Sequence, residues 1–403
     1  MNYITRQMEN AILKASKSFP VVMVCGQRQT GKSTMLKHLS APERKYVTFD
    51  DIKTRSLAQN DPELFFEVYG HRLFIDEFQR VPSILLEIKK IVDESNENGM
   101  FWLSGSQKFA MMKNVLESLA GRVAVFDMLP LSYDEIVGDI QGPFCPDVES
   151  LKKRRNKKRT MNEVFEDIFR GGMPKIVNDP SMDRDLYFSS YMNTYMERDI
   201  SVLEQVGKLD EFRSFVTYMA ASTAQELKYD SIAKAVGISA PTAKEWVSIL
   251  ERSGIIFILR PYFSSVSKRL VKTPKCYFLD TGLAAYLTSW PSPETLENGN
   301  AAGAFFETYV VSEILKGYAN EGKAPNLFYY RDVDKREIDL LMLGPSSLYP
   351  IEIKKGKNPI RANKNFDVLN RFGLEVHPGL ILCNADELFP FDRNAWYCPI
   401  GLI

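Results

Sequence analysis

The stretch GQRQTGKS at residues 26–33 matches the phosphate-binding pattern G-x-x-x-x-G-K-[ST] at every specified position. Its two glycines let the backbone wrap so that amide N–H groups point at phosphate oxygens, and the following helix adds its positive dipole end. Lys32 is expected to reach the β- and γ-phosphates, while the Ser33 hydroxyl binds Mg²⁺. ATP and Mg²⁺ are therefore the predicted cofactors. The residues of this loop that we expect to contact them are Gly26, Gln27, Arg28, Gln29, Thr30, Gly31, Lys32, Ser33 and Thr34.

Two adjacent acids follow the apolar run RLFI. Asp76 stands where a carboxylate would hold Mg²⁺, directly or through water. Glu77 would orient and deprotonate the attacking water, so the pair favours hydrolysis over passive nucleotide holding. The alternative is two solvated acids at a strand end. After the next apolar run, FWLS, the polar residues Ser104, Ser106 and Gln107 either sense the γ-phosphate or form an ordinary turn.

A second group of carboxylates lies near the C-terminus, in EIDLLMLGPSSLYPIEIKK. Glu352 and Lys354 are two apart in a strand and so share one face, which Asp339 can meet from the neighbouring strand of a hairpin. Glu307, on the preceding helix, could complete a site that holds one or two Mg²⁺ and activates water against a phosphodiester. Two alternatives stay open: a plain hairpin with a Glu352–Lys354 ion pair, or an inactive site used for docking.

Strands and helices alternate over the first 130 residues, which predicts a parallel sheet with helices on both faces. The predicted strands cover residues 21–25, 46–50, 71–77, 100–106 and 122–128, and the predicted helices 33–39, 57–69, 83–95 and 107–119. A helical region follows the basic run LKKRRNKKR, and the tail is strand-rich. The predicted domains are a P-loop ATPase domain (1–140), a basic linker or insertion (141–160), a helical lid (161–215), a winged helix (216–285) and a mixed α/β domain (300–403).

The winged-helix prediction comes from two helices joined at Gly237, the second beginning with the N-cap Ser239. Its exposed face carries one lysine, Lys244, and one glutamate, whereas phosphate contacts normally need several cations. A structural or protein-contact role is therefore favoured over DNA reading. Lys268, Arg269, Lys272 and Lys275 keep the DNA alternative open. The basic run 152–159 is interpreted as a solvated face, with nucleic-acid contact as its alternative.

The composition is that of an ordinary globular protein, with 45% hydrophobic and 25% charged residues among 403. The 51 basic and 51 acidic residues cancel, which excludes a globally basic nucleic-acid coat but not a local patch. Five scattered cysteines without a CxxC pair argue against disulfides and zinc, and favour a reducing cytoplasm. Three histidines exclude a histidine-rich metal site. No apolar run reaches the roughly 18 residues of a membrane span, so no membrane association is expected.

The sequence resembles the AAA+/STAND-type P-loop ATPases that are fused to a C-terminal DUF4143 region. The motifs that carry this resemblance are GQRQTGKST, LFIDEFQRVP, FWLSGSQ, LAGRV, LPLSYDEI, RGGMP, YMERDI and YFLDTGLAAYL. By this resemblance, Arg122 in LAGRV becomes a candidate γ-phosphate sensor or inter-subunit finger, or else a structural arginine at a strand end. Gly172 and Pro174 in GGMP would approach the adenine, or simply end a helix. The D…ExK pattern resembles the core of restriction-endonuclease-like folds.

Two functions follow as hypotheses. The first is an ATP-hydrolysing switch whose C-terminal domain binds or cleaves DNA or RNA. The second is a signalling or scaffold ATPase whose C-terminal domain binds a protein partner without nuclease activity. A third hypothesis is an oligomeric motor built from copies of this chain. The expected partners are thus ATP, together with nucleic acid, another protein or a second copy.

Overall fold

A computed structural model describes residues 3–40, 42–105, 118–196, 209–263 and 273–403. Several predictions concern residues outside these ranges: the sensor role of Ser106 and Gln107, most of the predicted helix 107–119, and the cations Lys268, Arg269 and Lys272. In the described part of the chain, none of the helices is both long and apolar enough to cross a membrane.

The N-terminal part is a five-stranded parallel sheet in the order β2-β3-β4-β1-β5. Its strands are β1 (Val21–Gly26), β2 (Lys45–Thr48), β3 (Leu73–Asp76), β4 (Phe101–Ser104) and β5 (Val123–Met128). Each overlaps a predicted strand range, and their ends differ by at most two residues. The helices between and before them are α1 (Met8–Ser16), α2 (Lys32–Ser40), α3 (Ile52–Asn60), α4 (Pro62–Tyr69) and α5 (Ile84–Ser95). The predicted parallel sheet with helices on both faces is confirmed.

Both faces of this sheet are buried, which explains why its strands read as continuous apolar runs. Val22 and Val24 of β1 face α1 and α2, whereas Val21 and Met23 face α3, α4 and α5. All five strands run the same way, so their carboxyl ends meet at one edge. Asp76 at the end of β3 pairs in register with Ser104 at the end of β4. That edge is therefore where a ligand of this sheet would bind.

The middle of the chain is helical, with a small antiparallel sheet in the order β6-β8-β7. The helices that lead to it are α6 (Tyr133–Val137), α7 (Val148–Leu151), α8 (Met161–Arg170), α9 (Pro174–Asn178) and α10 (Arg184–Tyr195). Around the small sheet lie α11 (Leu209–Ala221), β6 (Gln225–Glu226), α12 (Tyr229–Val236), α13 (Ala240–Arg252), β7 (Ile256–Leu259) and β8 (Lys275–Phe278). Trp246 of α13 packs against Phe212 and Phe215 of α11, with ring centroids 5.0 and 5.3 Å apart.

The C-terminal part is a seven-stranded mixed sheet in the order β14-β15-β13-β11-β10-β9, with β12 beside β11. It follows three helices, α14 (Thr281–Leu287), α15 (Pro293–Asn298) and α16 (Ala302–Ala319). The strands are β9 (Leu327–Arg331), β10 (Glu337–Leu343), β11 (Ser347–Ile353), β12 (Glu375–Val376), β13 (Gly379–Cys383), β14 (Phe389–Pro390) and β15 (Ala395–Pro399). β9, β10 and β11 are antiparallel, while β11, β13 and β15 are parallel. This agrees with the predicted mixed α/β tail.

The basic run 152–159 differs from the exposed linker that the sequence predicted. Arg159 donates from Nη1 to Asp167 Oδ2 and to the Tyr309 hydroxyl, both at 2.9 Å, and its guanidinium lies 3.6 Å from the centre of the Tyr133 ring. Lys157 forms a short ion pair with Asp134. The run therefore joins the N-terminal domain to α8 and α16, because three of its seven cations, Arg154, Lys157 and Arg159, are used in internal contacts rather than solvated.

Replacing Arg159 by alanine should lower the free energy of unfolding by roughly 1.5–3 kcal/mol, because Asp167 would keep only Arg170 as a cation and the Tyr309 hydroxyl would lose a charged hydrogen-bond partner. The Arg159 side chain is 6% exposed. Arg155, in the same run, is 67% exposed and pairs with the partly exposed Asp139, so Arg155→Ala should change the stability far less. Urea unfolding of the full chain, followed by circular dichroism, measures both. Equal effects of the two substitutions would contradict the assignment of Arg159 as an internal tie.

Candidate functional site

The phosphate-binding loop connects β1 to α2 with a backbone that its glycines make feasible. Gly26 has φ +140° and lies so close to β5 that a Cβ would overlap the Met128 carbonyl oxygen. Gly31 has φ +93°, a conformation that L side chains rarely adopt. Gln29 also has a positive φ, +64°. The loop thus has the close wrap that the motif predicted, with α2 beginning directly after it at Lys32.

Lys32 lies inside this loop and is 7% exposed. Its Nζ donates to the Gly26 carbonyl at 3.0 Å and to the Gln27 carbonyl at 2.5 Å. Burial lowers the Lys32 pKa to about 8, and the nearby Glu77 carboxylate partly opposes that fall. The ammonium group is thus held at the centre of the loop, where the motif places a phosphate-binding cation.

Asp76 gathers three hydroxyl groups at the carboxyl edge of the sheet. Ser33 of α2 donates to Asp76 Oδ1 at 2.8 Å, and Tyr46 of β2 donates to Oδ2 at 3.2 Å. Ser104 of β4 makes a short hydrogen bond to Oδ1. A serine hydroxyl and a carboxylate side by side are the oxygen ligands that Mg²⁺ takes in phosphate-loop proteins, so Ser33 and Asp76 fit that ion.

Glu77 follows Asp76 in the left-handed region, with φ +55° and ψ +38°. This turn re-aims the side chain after the strand ends, and Gln79 Nε2 donates a short hydrogen bond to its carboxylate. Burial raises the Glu77 pKa, and the charge of Asp76 raises it further. Lys32 and Arg28 act in the opposite direction, which puts the carboxylate within electrostatic reach of the loop.

Arg6 is the site residue that sequence reasoning missed. It is 4% exposed, and its guanidinium donates to the Glu135 carboxylate at 2.9 Å and to the carbonyls of Thr30 and Leu129, both at 2.8 Å. Thr30 belongs to the phosphate loop. Arg6 therefore ties that loop to the segment that leaves β5. The only sequence signal was the capping pattern S-x-x-E at Ser132–Glu135, which marks the buried glutamate but not its partner.

Pro174 lies beside the phosphate loop, whereas Gly172 lies at the exit of β5. Pro174 begins α9, and a Cβ built on Gly31 would lie 3.9 Å from its Cγ. Gly172 instead packs on β5's exit: its carbonyl accepts from Leu131 N at 2.8 Å, and its amide donates to Asp280 Oδ2 at 2.9 Å. Pro174 thus lies next to the loop itself, whereas Gly172 joins the helical region to the sheet.

Arg122 lies at the other end of the sheet. It immediately precedes β5, and its carbonyl accepts from Val21 N at the start of β1. The phosphate loop begins at Gly26, five residues or roughly 16 Å further along β1. Arg122 makes two hydrogen bonds to Asp93, at 2.5 and 3.0 Å. A γ-phosphate sensor role within the same chain is therefore wrong, because the LAGR motif enters β5 at its amino end.

The phosphate loop also touches the helical unit formed by α11, α12 and α13. Gln27 is 2% exposed, and its Nε2 makes a short hydrogen bond to the carbonyl of Gly254, in the turn between α13 and β7. A cavity of about 300 Å³ lies beside this contact, bordered by β5, by that turn and by the end of α16. A movement of the loop would therefore change its hydrogen bond to the Gly254 turn.

In the C-terminal sheet, Asp339 and Glu352 lie opposite each other on β10 and β11, as the antiparallel register requires. Lys354 Nζ contacts both carboxylates, at 2.9 Å from Asp339 Oδ2 and 2.7 Å from Glu352 Oε2. The Ile353 amide also donates to Asp339 Oδ2 at 2.9 Å. The structure therefore brings together the aspartate, the glutamate and the lysine that the sequence singled out.

The two carboxyl groups of this trio behave differently. Burial raises the Glu352 pKa to about 9, and the hydrogen bond and charge of Asp339 add to that rise. Burial also acts on Asp339, but the hydrogen bond from Glu352 and the charge of Lys354 outweigh it and lower the Asp339 pKa. Each of two close carboxyls opposes the ionisation of the other, which is why the Glu352 pKa rises while the Asp339 pKa falls.

Glu307 does not complete a three-carboxylate site. Its Oε1 accepts from the Tyr277 hydroxyl at 2.7 Å and from Lys275 Nζ at 3.2 Å, and Lys275 also pairs with Glu337 at 2.7 Å. Burial raises the Glu307 pKa to about 7, against the lowering effect of Lys275. Among the described residues, no three His, Cys, Asp or Glu side chains converge as a metal site. The predicted metal role of Glu307 is therefore wrong, because β8 supplies its partners.

Three family models match successive parts of the chain. Residues 18–137 match an AAA domain, residues 161–294 a domain of unknown function named DUF8612, and residues 302–403 a domain of unknown function named DUF4143. The boundaries follow the three parts of the fold, since the first match ends with α6 and the last begins with α16.

Similar proteins occur in bacteria and archaea. The chain is 27% identical to the uncharacterized protein Rv2008c of Mycobacterium tuberculosis, over 84% of this chain and 71% of that protein. It is 22% identical to the uncharacterized protein MJ1544 of Methanocaldococcus jannaschii, over 80% and 72%. A solved structure of the Walker-type ATPase PABY2304 of Pyrococcus abyssi aligns at 15% identity and a TM-score of 0.43, covering 70% of this chain and 94% of that one. The family matches confirm the predicted resemblance: the chain consists of a P-loop ATPase-type AAA domain, a helical region and a C-terminal DUF4143 domain.

Proposed function

We propose that the chain is an ATP-hydrolysing molecular switch whose C-terminal domain binds nucleic acid and cleaves it at Asp339, Glu352 and Lys354. One observation carries the proposal. At the mouth of a complete phosphate loop, Asp76 gathers the hydroxyl of Ser33 and the polar end of β4 on a single carboxylate. This is the arrangement in which a nucleoside triphosphate and its metal ion are held together.

In the proposed reaction, the loop amides and the N-terminus of α2 bind the phosphates of ATP. Lys32 Nζ leaves the carbonyl oxygens of Gly26 and Gln27 and donates instead to the β- and γ-phosphate oxygens. Hydrogen bonds to these charged oxygens are stronger than hydrogen bonds to neutral carbonyls. Ser33 and Asp76 would hold Mg²⁺, which would supply positive charge against the phosphates. Glu77 orients the attacking water and accepts its proton, for which a pKa raised by burial suits a general base.

Three contacts support a switch, because each would report a rearrangement of the loop. Pro174 packs beside Gly31, Gln27 bonds the Gly254 turn, and Arg6 holds the Thr30 carbonyl. Arg6 also holds the segment from Leu129 to Glu135, and this segment contacts α16. There the Tyr133 amide donates to Glu313 Oε2 at 2.7 Å, and Lys316 Nζ donates to the Leu131 carbonyl at 3.1 Å. Since α16 packs on the C-terminal sheet, the proposal is that loop movement is passed on through this helix.

We interpret α11 to β8 as a winged helix that serves as a structural hinge rather than a DNA reader. The order of its three helices and its three-stranded sheet supports this interpretation. The chain after β7 pairs with the C-terminal sheet, where the Tyr262 amide donates to the Tyr329 carbonyl at 2.7 Å. A wing joined in this way would move with the C-terminal domain.

For the C-terminal domain, the contact of Lys354 with two adjacent carboxyl groups supports a phosphodiester-cleaving site. The oxygens of Asp339 and Glu352 suit a hard divalent cation, whose charge would let both carboxyls ionise. Such an ion would supply an activated water and stabilise the developing phosphate charge. Lys354 would offset negative charge at the phosphodiester from beside the same carboxylates.

A second candidate is a signalling or scaffold ATPase whose C-terminal domain binds a protein partner. It is favoured by the observation that Lys354 already neutralises the carboxylate pair, which makes that pair a stable structural feature without a metal.

Arg122 is retained only as an inter-subunit finger in an oligomer, since it lies partly exposed at the far edge of the sheet. A cytoplasmic location is proposed because all five cysteines are described and none forms a disulfide.

Lys32→Ala should reduce ATP hydrolysis by on the order of 100-fold or more, because the cation on the β/γ-phosphates is lost. Glu77→Gln should leave binding of ATP intact while hydrolysis falls by about 10²–10⁴-fold, since only proton acceptance is removed. Phosphate release and binding of a fluorescent ATP analogue measure the two properties. Lys53→Ala, an exposed lysine on α3, is the control and should match the wild type. Hydrolysis that survives in both Lys32→Ala and Glu77→Gln would remove the basis for the ATPase assignment.

Glu352→Gln should abolish Mg²⁺- or Mn²⁺-dependent cleavage of DNA and RNA, because a neutral amide binds the cation weakly. The ATPase rate should be unchanged, since the two sites lie in different domains. Glu375→Gln, an exposed glutamate on β12, is the matched control. Gel assays with single- and double-stranded substrates measure the loss. If the wild type cleaves nothing while it hydrolyses ATP, the nuclease assignment fails and the protein-binding candidate takes its place.

A further inference from the structure

We propose that the segment 354–364 binds the phosphodiester backbone of a nucleic-acid strand and lays it across the Asp339–Glu352 pair. This segment, KKGKNPIRANK, is called the basic rim below. It carries five cations and no acid, within a chain whose net charge is zero. The inference rests on the proposed function, and it names the surface through which the C-terminal domain would hold its substrate.

The basic rim begins and ends at the carboxylate pair. Lys354, its first residue, contacts both Asp339 and Glu352. Directly after its last residue, Asn365 Nδ2 donates to the carbonyl of Glu337 at 2.8 Å, two residues before Asp339 on β10. The rim therefore runs outward from the pair and returns to it, and a strand lying along the rim would pass next to the pair.

Contacts with the sheet fix the backbone of the rim. The Tyr397 hydroxyl donates to the Pro359 carbonyl at 3.2 Å, and the Lys357 carbonyl accepts a long hydrogen bond from Cys383 Sγ at 3.6 Å. Ala362 and the adjoining Phe366 are buried in the core beneath the sheet. With its backbone held, the rim presents its exposed cations in a set arrangement, which lowers the entropic cost of binding a ligand.

The exposed cations of the rim are Lys357, Arg361 and Lys364. Arg361 and Lys364 make no ion pair with any residue within the described ranges. Lys357 pairs with Asp386 at 2.8 Å, but both side chains are more than half exposed, so phosphate can compete for that lysine. These cations therefore differ from those of the run 152–159, of which three in seven are used inside the protein.

The chemistry of the neighbouring site selects among anionic partners. An acidic peptide on the rim would bring carboxylates towards the Asp339–Glu352 pair without using it. A phosphodiester strand would instead place a bond that the proposed site can cleave beside Lys354. Cations that contact successive phosphates release counterions, and this gives nucleic-acid binding its strong dependence on salt. A nucleic-acid backbone is thus the partner that fits both the rim and the pair.

The test is fluorescence anisotropy of the full chain with labelled duplex DNA, single-stranded DNA and single-stranded RNA at several salt concentrations. The rim variant is Lys357→Glu/Arg361→Glu/Lys364→Glu. The matched control, Lys14→Glu/Lys17→Glu/Lys53→Glu, makes the same charge change at three exposed lysines of the N-terminal domain. The rim variant should bind at least about tenfold more weakly, and the slope of log affinity against log salt should fall by roughly 2–3 for three lost phosphate contacts. The control should keep most of the wild-type affinity and its slope.

Folding of the rim variant is checked by its ATPase rate and its thermal unfolding, both of which should equal the wild-type values. A second variant, Lys357→Gln/Arg361→Gln/Lys364→Gln, removes the charges without reversing them and should show the same loss of slope. If the wild type binds nucleic acid and both rim variants bind equally well, the rim assignment is overturned and the proposed function stands. If the wild type hydrolyses ATP but binds no nucleic acid, the nucleic-acid part of the proposed function fails, and the rim assignment fails with it.

Discussion

The nucleotide-binding end of this protein depends on one buried cation, the guanidinium of Arg6. Its three hydrogen bonds reach the phosphate loop at Thr30, the exit of β5 at Leu129 and the carboxylate of Glu135. A buried carboxylate without such a partner would be strongly destabilising. Loss of Arg6 would therefore disturb all three segments at once. Because Glu135 also caps α6, the same contact fixes the start of the path from the sheet to α16.

Two other basic segments of the chain, whose net charge is zero, use their cations in different ways. In the run 152–159 cations are used inside the protein, where Arg159 joins α8 to α16. In the segment 354–364, three of the five cations are exposed next to a carboxylate pair. Two segments of similar composition therefore differ in role: 152–159 holds parts of the fold together, and 354–364, as we propose, binds a ligand. Burial and partners distinguish the two roles.

Much of the fold and site could be predicted because it depends on local pattern. Apolar runs predicted the parallel sheet, and the parallel order brings Asp76 to Ser33 at one edge. Strand alternation likewise predicted that Asp339 meets Glu352. What failed was non-local. Arg6 finds its carboxylate 129 residues away, and the partners of Glu307 come from β8, so no spacing in the sequence indicates either contact. Arg122 was predictable from strand direction, since it precedes β5 and so lies at the amino edge.

If nucleotide state controls the C-terminal domain, the affinity of the full chain for nucleic acid must depend on the nucleotide that is bound. It would be measured by anisotropy without nucleotide, with ADP and with a non-hydrolysable ATP analogue, in the wild type and in Lys32→Ala. We expect an affinity that differs between ADP and the ATP analogue in the wild type, and no such difference in Lys32→Ala. Equal affinities in all three states of a wild type that hydrolyses ATP would contradict the coupling.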